Sequence, residues 1–114
     1  PAEAIAFSSN GELLAVGTDW EILLFEVDQF PHKPKVVGRH QGMVQSLAFV
    51  PGGKHLISGG SDKSVRVWDT HSQTMLTNYN WEIGRIASVS VDHDGVRGSA
   101  VGNEGNFVIW DLDG

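Results

Sequence analysis

Ser58-Gly59-Gly60-Ser61-Asp62-Lys63-Ser64-Val65-Arg66-Val67-Trp68-Asp69 reads as the end of one strand, a tight Gly/Ser/Asp turn and a second strand closing on Trp-Asp. Weaker copies of this stretch lie on both sides of it. At an offset of 42 residues Gly60 falls on Gly102, Asp62 on Glu104, Val65 on Phe107, Val67 on Ile109 and Trp68 on Trp110. Upstream, Gly11 lies 42 residues before Gly53 and Leu14 lies 42 before Leu56, whereas Phe25 lies 43 before Trp68. One residue has therefore been lost from the first copy of the turn.

A self-similar period of about 40 to 45 residues, with four short strands per unit and a Trp-Asp ending, is the pattern of a propeller blade. The chain resembles the WD-repeat β-propeller family over nearly its whole length, most closely in residues 38 to 69. The fold this implies is all-β: a partial β-propeller of three blades, each a four-stranded antiparallel sheet, divided at 1–38, 39–80 and 81–114. No residues remain for the outer strand of the third blade, and helices find no support anywhere. Propellers close their ring with about four to eight blades. A three-blade arc leaves two apolar blade faces uncovered, so the chain is expected to be a segment of a longer one or to pair with other copies. Its start at Pro1 without an initiator Met and its stop just after the third Trp-Asp fit a segment.

Along the chain, Ile5-Ala6-Phe7 and Leu13 to Val16 flank a Ser-Asn-Gly turn. Ile22 to Val27 carries apolar residues at successive positions, which demands burial on both faces rather than the alternation of a half-solvated sheet. Asp28 to Pro34 is the longest connection, kept out of a central strand by its prolines. Lys35-Val36-Val37 is a short charged outer strand suited to an edge.

Composition narrows the function classes. With 40% hydrophobic and 19% charged residues the chain has the balance of a globular domain, neither disordered nor fibrous. Absence of cysteine leaves no disulfide framework and no thiolate metal site. No apolar run approaches the roughly 18 residues of a membrane span. A formal charge of −6 argues against tracking along nucleic acid phosphates, which needs clustered Lys and Arg. Neither nucleic acid nor membrane is an expected partner. Cytoplasm is the default location, with the nucleus as the alternative.

The resemblance also implies a hydrogen-bonded structural tetrad in the second blade, made of His40, Ser58, Asp62 and Trp68. Gly38-Arg39-His40 departs from the family's Gly-His pair by one inserted Arg. A buried indole N–H and imidazole are each costly unpaired, and a chain from Trp to Ser to His to Asp satisfies them together. Val16 and Phe25 replace Ser and Trp in the first blade, while Glu82, Ala100 and Glu104 replace His, Ser and Asp in the third. Trp110 then lacks its partner, and both flanking blades depend more on apolar packing.

Ser58, His40 and Asp62 also form the residue set of a hydrolase triad. A mid-strand Ser with its hydroxyl engaged, away from any nucleophile turn or oxyanion loop, argues against catalysis. No cofactor is implied. The histidines and aspartates invite a metal reading, but His40 and Asp62 belong at one end of the blade and His71 and His93 at the other, about 17 to 20 Å away across a strand.

The tetrad-end loops, which the resemblance marks as the face used for protein partners, carry Trp20, Arg39, Met43, Trp81 and Arg85. Trp and Arg are enriched in binding hot spots. Packing over the ends of their own blades is the competing reading for Trp20 and Trp81. Asp19, Glu21, Glu82 and Glu104 on the same rim favour a partner with basic character. Phe30, at the opposite end, is a secondary candidate. The expected function is a non-catalytic scaffold for protein or peptide partners. Self-assembly into a larger ring is the alternative, and a propeller-based hydrolase comes third.

Overall fold

A computed structural model describes residues 4–30 and 34–112. Pro31, His32 and Lys33 of the long connection lie outside the described residues. The chain forms three antiparallel sheets in sequence order. The first contains β1 (Ala4–Phe7), β2 (Leu13–Gly17), β3 (Glu21–Glu26) and β4 (Lys35–Arg39). The second contains β5 (Val44–Phe49), β6 (His55–Gly60), β7 (Val65–Asp69) and β8 (Thr74–Tyr79). The third has only β9 (Ile86–Val91), β10 (Arg97–Gly102) and β11 (Phe107–Asp111). These are three propeller-type blades, the last lacking its outer strand among the described residues.

The described residues are all-β, as the sequence predicts, with a single 3-10 turn at Val27–Gln29 and no α-helix. Val27 N–H still bonds across to Glu12 O (2.9 Å), one step past the last β2–β3 pair, and Phe30 N–H then closes the turn on Val27 O (3.2 Å). That turn folds the Phe30 ring onto Phe25, with centroids 5.1 Å apart in an edge contact. At the next connection β4 runs on to Arg39, whose backbone pairs with Glu21, so Arg39 belongs to a strand end rather than a loop.

Two cores lie between the blades. Ala15, Ile22 and Leu24 of the first sheet meet Val44, Leu47, Leu56 and Trp68 of the second. Ile57 and Val65 meet Ile86, Val89 and Ala100 across the second junction. In the second blade alternation serves both junctions, with Leu56 and Trp68 toward the first blade and Ile57 and Val65 toward the third. The inner strands stand side by side, and Ser46 Oγ accepts the Val89 N–H (3.0 Å) from β9. Gly38 lies flat against the Trp68 indole, where any Cβ would collide with the ring.

The missing residue of the first turn is visible in the connections. Three residues, 18–20, link β2 to β3, whereas four link β6 to β7 and four link β10 to β11. The longer turn at 61–64 holds Lys63 at φ 72°, a left-handed conformation that the third blade fills with Gly105 at φ 93°.

Candidate functional site

The turn between β6 and β7 and the connection from β4 to β5 meet at one end of the second blade. Ser61 N–H bonds to Met43 O (2.9 Å), and Met43 N–H to Ser61 Oγ (2.8 Å). Beneath them the structure brings His40, Ser58, Asp62 and Trp68 into one chain of hydrogen bonds. Trp68 Nε1–H donates to Ser58 Oγ at 2.8 Å, and Ser58 Oγ lies 2.6 Å from His40 Nε2. Both Asp62 carboxylate oxygens lie 3.1 Å from His40 Nδ1. With that carboxylate at Nδ1, the neutral imidazole carries its proton there, which leaves Nε2 to accept from Ser58 O–H. Every donor in the chain then points toward Asp62.

Burial holds His40 below the ordinary imidazole value, and the opposing pull of Asp62 does not overcome it. For Asp62, burial pushes the carboxyl up. The Ser64 hydroxyl, the Gln41 N–H, His40 and the Ser64 N–H outweigh it and hold the group below the usual carboxylate value. The extra Arg before His40 is absorbed by the extension of β4 rather than by displacement of the histidine.

Two members of this network are not evident from the sequence reading. Ser64 Oγ–H donates to Asp62 Oδ1 (2.7 Å) and lies 3.0 Å from His40 Nδ1. Its signal is the Asp-x-Ser spacing, in which a carboxylate caps the N–H two residues on (3.1 Å). Arg66 donates to Arg39 O (2.6 Å) and stands 3.9 Å from the Asp62 carboxylate. An arginine inside an alternating strand carries no such signal.

Ser58, His40 and Asp62 stand in the order of a nucleophile, base and orienting acid. Ser58 is nonetheless 0% exposed, and its oxygen accepts the indole N–H. Among the described residues no group of three or more His, Asp or Glu side chains converges on a point. No helix among them is long and apolar enough to cross a membrane.

The candidate contact residues fall into two situations. Trp20 is 57% exposed and sits in the short β2–β3 connection, with its carbonyl accepting the His40 N–H (2.8 Å). Arg39 Nη2 donates to Glu21 Oε2 (3.2 Å) beside it, and Met43 is exposed on the next connection. These residues cluster at the first junction. Arg85 is exposed at the second, where its carbonyl accepts Asn103 N–H (2.8 Å). Trp81 differs. It is half-buried, stacked on Tyr79 (4.6 Å, 13°) and tilted against Trp110 (4.9 Å, 43°). Trp110 Nε1 beneath that group is buried with no hydrogen-bond partner among the described residues. At the other end, Phe30 is exposed but rests its edge on Phe25.

Comparison with known proteins fits this geometry. Residues 33–69 match the family described as WD domain, G-beta repeat. The chain is 32% identical over 73 residues to Autophagy-related protein 16 of Arabidopsis thaliana, covering 64% of this chain and 14% of that protein. It is 34% identical over 116 aligned positions to DDB1- and CUL4-associated factor 5 of Homo sapiens, covering 96% of this chain and 12% of that protein. Against the p21-activated protein kinase-interacting protein 1-like of Danio rerio it is 30% identical over 108 residues, 94% of this chain and 29% of that protein. The chain thus spans 12% to 29% of the length of these relatives.

Proposed function

We propose, from the premise that this chain belongs to the WD-repeat family, that it is a non-catalytic scaffold binding protein or peptide partners through its tetrad-end loops. The observation that carries the reading is the exposed cluster of Trp20, Arg39 and Met43 at the first junction. Its backbone is tied to the buried His40 network, so large contact side chains stand on a rigid base. The relatives' names point the same way: one is an associated factor and one an interacting protein. Arg85 extends the surface to the second junction. Trp81 contributes only the part of its ring that the stack on Tyr79 and Trp110 leaves uncovered. In this role His40, Ser58, Asp62 and Trp68 are structural, and Asp62 ties the 61–64 turn to the connection that carries Met43 by accepting the Gln41 N–H (2.9 Å).

The test is a selection of peptides against the chain from a library of unbiased composition. Selected peptides are expected to lose about tenfold or more in affinity, roughly 1.4 kcal/mol, when Trp20→Ala and Arg39→Ala are combined. Undiminished binding to that variant, with the fold intact, overturns the reading.

A second reading rests on the two outer faces. Ile5 and Phe7 on the first blade, and Phe107 and Ile109 on the third, are each 61% to 65% exposed. By repeat register these positions match Leu47 and Phe49, and Val65 and Val67, all packed into the blade junctions. Further blades, from a longer chain or another copy, are the natural cover for both faces.

A further inference from the structure

We propose that the cleft between the first two blades, at the end opposite the tetrad, is a second binding site, for an acidic peptide segment with an aliphatic side chain. This goes beyond the tetrad-end surface and shares no residue with it. The cleft has a volume of about 410 Å³, within the usual range of ligand pockets, about 300 to 1,000 Å³. Its lining includes Leu13 and Leu24, with Lys35 on the first-blade side and Lys54 and His71 on the second. Among the described lining residues Glu26 is the one acidic side chain.

Charge selects the occupant. The chain carries a formal charge of −6, yet two of its four lysines line this one cleft. A carboxylate-bearing segment gains from both ammonium groups, whereas a basic one meets them as repulsion. Leu13 and Leu24 supply the apolar part of the lining, and the second-blade side includes the small groups of Gly52, Gly53 and Thr70 beside Lys54 and His71. Gly52 and Gly53 turn there at φ 100° and 78°, and Thr70 keeps its hydroxyl on Gly53 O (2.6 Å).

The cleft is also particular to this junction rather than a property of the repeat. At the second junction the register puts Thr77 where Lys35 stands and Val96 where Lys54 stands, so neither ammonium is repeated. Thr70 is replaced by Leu112, which makes the same backbone bond, to Val96 O (2.9 Å), as Thr70 makes to Lys54 O (2.9 Å). A leucine in place of threonine fills space that the first junction leaves open. Among the described residues the lining comes from the first two blades and not from the terminal faces.

The experiment selects short peptides from two matched libraries, one alternating Asp or Glu with apolar residues and the other Lys or Arg with apolar residues. Fluorescein-labelled winners are then titrated against the chain by anisotropy. Acidic winners are expected to weaken as ionic strength rises, and to lose about tenfold in affinity with Lys35→Glu combined with Lys54→Glu. They should bind undiminished to Trp20→Ala combined with Arg39→Ala, which separates this site from the tetrad-end surface. If the charge reversals disturb folding, as seen in the melting curve, Lys35→Gln with Lys54→Gln makes the same test with a smaller perturbation. No enrichment from the acidic library, preference for the basic one, or binding indifferent to the lysine variants overturns the proposal.

Discussion

His40 is the residue at which sequence, packing and charge meet. Its ring is buried, bonded at one nitrogen to Ser58 and at the other to Asp62, and packed against Gly60, where a Cβ would stand 2.5 Å from Nδ1. Asp62→Ala strands the Nδ1–H and the Gln41 N–H, so stability is expected to fall by about 1 to 3 kcal/mol in a denaturant titration. An unchanged midpoint would deny Asp62 its structural role. The pH dependence has a definite sign. His40 is held below its ordinary value of 6.5 by burial, so below that pH the unfolded chain takes up a proton that the folded one resists. Its stability contribution is fully present above pH 6.5 and is lost as pH falls through the folded value. Asp62, held below 3.8, adds a second loss at lower pH. Melting temperature is therefore expected to fall on acidification from neutral, and less steeply in His40→Gln.

Blades two and three are the same element built with and without the network. In β6 the hydroxyl of Ser58 receives the Trp68 N–H, and in β10 the matching position is Ala100. The third blade leaves Trp110 Nε1 buried and unpaired among the described residues, and fits Tyr79 and Trp81 over the indole instead. An Ala100→Ser change puts an acceptor where Ser58 holds one and is expected to raise stability by about 1 kcal/mol. Thermal melting checks it, and a lowered melting temperature would mean that the new hydroxyl finds no partner in that core.

The three blades form an arc with apolar ends. Ile5 and Phe7 at one end occupy the register of residues that bury into a preceding blade, and Phe107 and Ile109 at the other occupy that of residues that receive a following one. Association of the isolated chain is therefore expected to be head to tail, through unlike faces, and to grow with concentration. Sedimentation should show species larger than a monomer at micromolar concentration, reduced by Phe7→Asp or by Phe107→Asp alone. A monomer under those conditions would show that the open ends do not adhere.

What the sequence determined by itself is local or periodic: the 42-residue offset, the turn residues at 61–64, the shortened first turn, and the residue types of one hydrogen-bonded chain. Those are legible because strand alternation and turn chemistry depend on near neighbours, and because each repeat copies the last. Tertiary structure decided the rest. Whether Trp20 stands free or Trp81 lies in a stack depends on which aromatic rings come alongside: Trp81 meets the near neighbour Tyr79, but also Trp110, which is far away in the chain. Lys35 and Lys54 come to line one cleft, and Arg66 reaches the Arg39 carbonyl, only because strands from different connections are packed together. Junctions between blades are made of such long-range neighbours, and single-strand patterns carry no record of them.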